Sequence, residues 1–197
     1  MKKMWGFKLN LYNICMIVLM AVFNILLNLL AQYFNSMNVP MPLWLDSVGT
    51  FIAAMEAGPI AGAIAGLPIY GVHVFTHPDW AAYSIISVLI GISAGIVARA
   101  SGSKTWRSAL LAGVIAAVID TALSSYLDLR FYGGETDFYL GDMVFHALSG
   151  SQPPVYASLA AEAAMSVPDK ILSAIMAYLI CTDYFNKNKR RNRQKKE

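Results

Sequence analysis

From Leu9 to Phe34 the chain carries no aspartate, glutamate, lysine or arginine. A helix over those 26 residues would be about 39 Å long, enough to cross a hydrocarbon core of about 30 Å with some tilt. The run is longer than the apolar region of a cleaved leader and lacks a small-residue cleavage site, so it is expected to stay in the membrane. Composition extends the constraint to the whole chain. With 197 residues, 57% of them hydrophobic and 14% charged, there is too little polar surface for an ordinary soluble domain. The fold class expected is an all-α integral membrane protein, because a segment in lipid must satisfy its backbone groups internally. Cys15 and Cys181 lie near opposite ends of the apolar sequence, without the spacing of a disulfide framework or a zinc site. The net charge of +3 is unevenly distributed and does not point to nucleic acid.

Five further spans are expected after the first. The segment from Leu43 to Phe75 reads as two helices meeting at Gly58-Pro59, since glycine suits the position past a helix end and proline the first turn of the next. Gly58, Gly62 and Gly66 repeat every fourth residue, a small-residue ridge for close packing. Asp46 stands where it can cap the second span by accepting from the backbone of Gly49. The fourth span is expected from about Asp79 to Ala100 and the fifth from about Thr105 to Leu127. Asp128 to Pro154 is a long polar connection whose aromatic residues suit a cover, with a short interfacial helix within Phe138–Leu148. The last span either begins at Pro153-Pro154 and kinks at Pro168, or begins afresh with a capping box of Ser166 and Asp169 and runs to Tyr184; a kink or break at Pro168 is favoured.

Orientation follows from the basic residues. Thirteen of the fifteen lysines and arginines lie in the leader, in the loop between the fourth and fifth spans and in the tail, and six spans put all three regions on one side. The expected architecture is therefore a bundle of six transmembrane helices with both termini cytoplasmic. It forms a single membrane domain over 1–197, with the bundle at about 9–186 and a basic tail at 187–197. Trp5 and Trp106 fall on the inner interface and Trp44 and Trp80 on the outer one.

Polar residues inside the apolar spans mark the candidate site. At about 100° per residue, Glu162, Ser166, Asp169 and Ser173 share a narrow helix stripe with Lys170 beside it. Ionisable groups at membrane depth cost at least a few kcal/mol each and are retained facing a partner or a wet cavity. Asp120, Ser124 and Asp128 share a face of the fifth span. In the first span, Asn24, Asn28 and Gln32 recur on one face; Asn24 reads as interhelical glue, Asn28 and Gln32 as near enough to the outer end to reach a ligand. Trp44, Trp80, Tyr83, Phe131 and Tyr139 can stack on a ring-bearing ligand. His73 and His77 are one turn apart but lack a clear third ligand, so His77 reads as polar lining rather than as a metal ligand. The candidate substrate-binding residues are Asn28, Gln32, Trp44, His77, Trp80, Tyr83, Asp120, Ser124, Tyr139, Glu162, Asp169 and Lys170. No catalytic residue, metal site or cofactor is assigned. For Asp169 and Lys170 a structural salt bridge is the competing reading.

The elements D-S-x-G-T at Asp46–Thr50, G-P-x-x-G at Gly58–Gly62 and D-K-x-x-S at Asp169–Ser173, in a chain of this size and span count, resemble the substrate-binding S components of energy-coupling factor (ECF) transporters. The resemblance implies a subunit that captures a vitamin or related micronutrient in an outward-facing pocket. A separate module, a transmembrane coupling protein with two ATPases, would then drive release inside. It implies a multi-pass protein of the bacterial plasma membrane that is not itself an enzyme, and the sequence has no G-x-x-x-x-G-K-[ST] phosphate loop. Two other readings stand beside it. One is a membrane-embedded ligand-sensing or regulatory domain; the other is an intramembrane enzyme drawing on Glu162 with Asp169 or His73 with His77.

Overall fold

The computed structural model of the chain describes residues 10–40, 42–68, 78–101, 105–136 and 138–194. In chain order its helices are α1 (Leu11–Ser36), α2 (Val48–Ala57), α3 (Pro59–Gly66), a 3-10 helix (Pro78–Tyr83), α4 (Ser84–Ala100), α5 (Trp106–Phe131), α6 (Tyr139–Ser149) and α7 (Pro154–Gln194). Among the described residues, four segments are long and apolar enough to cross a membrane: Leu11–Ser36, Ala81–Ala100, Trp106–Phe131 and Pro154–Thr182. The stretches expected to form the second and third spans are described as helices of only 10 and 8 residues, about 15 and 12 Å long.

Local sequence explains where these helices start and stop. The Asn10 side chain accepts from the N–H of Asn13 at 2.8 Å and caps α1, the role asparagine fills in extended backbone. Thr105 and Ser108 form a reciprocal capping box at the start of α5. The hairpin at Gly58-Pro59 forms as the sequence suggests: Gly58 has φ +97°, and Pro59 opens α3. A side chain at Gly58 would also collide with the guanidinium of Arg99, which donates to the Ala57 carbonyl at 2.8 Å. Thus α4 closes the end of α2.

Small residues make the closest helix contacts, beside larger buried side chains such as Phe51, Ile86, Ile90 and Met165. Gly62 and Gly91 meet backbone to backbone, so that a Cβ on either would strike the other helix. Between α5 and α7 the seam is Ala109, Ala112 and Ala116 with Ala174 and Ala177, all buried. Many other large apolar residues face outward; Leu11, Val18, Leu19, Leu26 and Leu30 of α1 and Val118 and Tyr126 of α5 are exposed. Small residues at the closest contacts and bulky hydrocarbon outside is the pattern of helices that associate in lipid, where close packing rather than hydrophobic burial holds the bundle together.

For the last span the structure decides between the two alternatives, since the helix begins at Pro154. α7 runs without interruption through Pro168, so no fresh helix begins at Ser166 and the chain does not break at the proline. Pro168 brings no N–H to the carbonyl of Ala164, but neighbouring helices can support such a gap inside a bundle. The connection from Asp128 to Pro154 contains the short helix expected within Phe138–Leu148, as α6. α5 continues to Phe131, the N–H groups of Tyr132 and Gly134 both donate to the Asp128 carbonyl, and Asp142 accepts from the N–H of Thr136 at 2.6 Å. α6 then packs on α7 through Phe145, Ala157 and Ala161. The rings of Trp44 and Phe138 stack with centroids 3.9 Å apart, and the N–H of Tyr139 donates to Asn35 Oδ1 at 2.8 Å. The connection thereby covers the segment between α1 and α2.

Candidate functional site: a buried carboxylate and lysine network

Lys170 is the centre of the site. Its side chain is 1% exposed, and its ammonium donates to Asp169 Oδ2 at 2.7 Å and Asp46 Oδ1 at 2.8 Å, with Asp120 Oδ2 at 3.2 Å. An ammonium carries three N–H donors, and three carboxylates surround this one. They come from three places in the chain: the turn before α2, the middle of α5, and α7 itself. Asp169 has a second duty, accepting from the N–H of Leu45 at 2.8 Å. Leu45 has φ +53°, a left-handed conformation that costs a leucine about 1–2 kcal/mol and that the Asp169 bond helps to hold. Asp46 also accepts from Ser47 Oγ at 2.6 Å.

The network continues away from the lysine. Asp120 accepts from Ser124 at 3.1 Å and from Ser166 at 2.9 Å, and Ser166 stands 3.2 Å from Glu162 Oε2. The carboxyl of Glu162 lies within hydrogen-bonding reach of that of Asp128, and Asp128 Oδ1 accepts from the hydroxyl of Tyr83 at 2.5 Å. One chain of polar contacts thus runs from Leu45 through Lys170 to Tyr83. It is enclosed: Asp169 and Ser166 are fully buried, Lys170 is 1% exposed and Glu162 2%.

The sequence-derived candidates divide into three groups. Asp120, Ser124, Glu162, Asp169, Lys170 and Tyr83 meet in this network. Asn28, Gln32 and Trp44 sit beside it and hold its wall: Asn28 Nδ2 donates to the Trp44 carbonyl at 3.3 Å, Gln32 donates to Asn28 Oδ1 at 2.8 Å, and Trp44 packs on Phe138. Tyr139 does not join, since its side chain is 42% exposed and only its backbone N–H anchors the cover; Phe131 is likewise exposed. His73 and His77 lie outside the described residues, and for Trp80 only the backbone is described. Asn24 acts as glue, accepting from the N–H of Gly49 at 2.6 Å and donating to Thr50 at 2.9 Å.

The expectation for Asp46 is overturned. It does not cap α2 through Gly49, whose N–H is taken by Asn24, and serves instead as a lysine partner 124 residues away in sequence. Asp128 and Ser166 also belong to the site although neither stood among the candidates. Their spacing from Asp120 and Glu162 was the available signal, eight residues in α5 and four in α7. Among the described residues no group of three or more His, Cys, Asp or Glu converges as a metal site. Comparison of the chain with protein-family models, with curated proteins and with solved structures yields no match.

Proposed function

We propose that the chain is the substrate-capture subunit of an ECF-type importer in the bacterial plasma membrane. In this reading six spans leave both termini cytoplasmic, the network around Lys170 lies in the outer half, and the ligand is a vitamin-like micronutrient. The observation that carries the proposal is the burial of five carboxyl groups and one ammonium inside a bundle of apolar helices. Such groups are expensive in a membrane and are retained where a substrate or ion is handled. The cover formed by Trp44, Phe138 and α6 supports a site reached from that end of the bundle and closed by aromatic and polar contacts. Partners on this reading are a transmembrane coupling protein and two ATPases.

A ligand-sensing domain is favoured by a different feature. α7 is one helix of 41 residues, about 60 Å long in all, and its part beyond Lys170, roughly 37 Å, can carry a displacement at Lys170 out of the bilayer. Uptake separates the two. Vesicles containing the chain with an energy-coupling module should accumulate the ligand on addition of ATP, and vesicles containing the chain alone should bind it without accumulation. Concentrative uptake by the chain alone, or none with any module, would remove the importer reading.

A further inference from the structure

The donors in the network do not suffice for its acceptors, and the shortage is local. Lys170 directs its ammonium to Asp46, Asp120 and Asp169. At the other end, Glu162 and Asp128 face one another, and both are acceptors when ionised. The single proton of Ser166 serves Asp120 or Glu162 at any moment, and Asp120 is the nearer, at 2.9 against 3.2 Å. Tyr83 satisfies one oxygen of Asp128. The other, Oδ2, accepts from no donor among the described residues, although Asp128 is 3% exposed. A buried carboxylate oxygen without a donor loses its hydration and recovers nothing.

We infer that the Asp128 and Glu162 end of the network is the subsite for a positively charged nitrogen group of the ligand, a primary ammonium or an amidinium. The inference rests on reading the network as the capture site and names its substrate class. Such a group brings both what is missing, N–H donors, and what the carboxyl excess calls for, positive charge. Lys170 shows the same chemistry within the protein, an ammonium held by carboxylates at 2.7–3.2 Å. A metal ion fits less well at this end, where two carboxyls, those of Asp128 and Glu162, face one another and no group of three or more His, Cys, Asp or Glu able to hold a metal is found among the described residues. Tyr83 would then hold Asp128 in place, and Ser166 would turn its proton between Asp120 and Glu162 as the site fills. The other occupant able to bridge two facing carboxyls is a shared proton.

Binding to the purified full chain in lipid nanodiscs decides between them without any energising module. The probes are ethylammonium and benzylammonium chlorides, set against benzyl alcohol, sodium benzoate and sodium chloride at matched ionic strength. Both ammonium probes should raise the thermal midpoint in a saturable way, and the other three should not. Glu162→Gln and Asp128→Asn should each weaken benzylammonium binding about tenfold or more, the loss of one buried charged hydrogen bond. No saturable effect from either ammonium, an equal effect from benzoate or benzyl alcohol, or an equal effect from sodium would overturn the assignment. The wild-type comparison decides by itself if a variant does not fold. Because uptake is not measured, a failed importer reading and a failed cation subsite give different results.

Discussion

Lys170 lies beside the stripe of α7 that holds Glu162, yet removing the two charges should have opposite consequences. Replacing Lys170 by methionine keeps most of the volume and leaves Asp46, Asp120 and Asp169 facing one another in a buried space. Breaking a buried ion pair from one side typically costs about 3–5 kcal/mol, so Lys170→Met should unfold at markedly lower temperature or denaturant than wild type. Glu162→Gln takes a charge from a region already short of donors and supplies an N–H to Asp128. That variant should stay folded within about 1 kcal/mol and lose ligand affinity by about 1–3 kcal/mol. Unfolding in detergent monitored for both proteins checks the contrast; equal destabilisation by the two would make the whole network structural. The stripe itself was legible from helix period, as was Asp120. Asp46 was not, because a capping role is a local pattern and its partner Lys170 is brought near only by tertiary packing. Asp128 was visible on the face it shares with Asp120, but nothing in the spacing said that Glu162 would meet it.

At the scale of helices, packing depends on positions without side chains. Gly62 touches the backbone of Gly91, so Gly62→Val must push α3 from α4 and should cost at least about 1–3 kcal/mol, the usual penalty of overpacking. A midpoint unchanged from wild type would contradict this close approach. Pro168 gives the opposite expectation. An interior proline costs a helix about 3 kcal/mol, and since α7 is continuous, Pro168→Ala should keep or raise the midpoint. A clear fall would mean that the proline supports a bend the bundle needs. The hairpin at Gly58-Pro59 and the ends of α1 were readable because glycine, proline and asparagine have local rules. Continuity through Pro168 was not, because tertiary support overrides the local preference.

For the molecule as a whole, the proposed six-span topology, taken with the asymmetry of basic residues, would assign a side to every connection. In a protein whose own Cys15 and Cys181 have been replaced, a cysteine at Glu135 should react with an impermeant reagent in intact cells and one at Lys189 only after permeabilisation. The reverse pattern would invert the bundle and move the network to the inner half. Membrane character was evident from composition alone, whereas the close approach of α3 to α4 at Gly62 and Gly91 is something hydropathy does not report. The central claim is that the buried carboxyl and lysine network is a ligand site, and it is tested most directly by what the protein carries. Small molecules released by denaturation from equal amounts of purified wild type and Glu162→Gln can be measured by mass spectrometry, with thermal unfolding of the same samples. Wild type should release one small molecule in near-stoichiometric amount that the variant lacks while its midpoint is retained; release of the same amount from both proteins would contradict the claim.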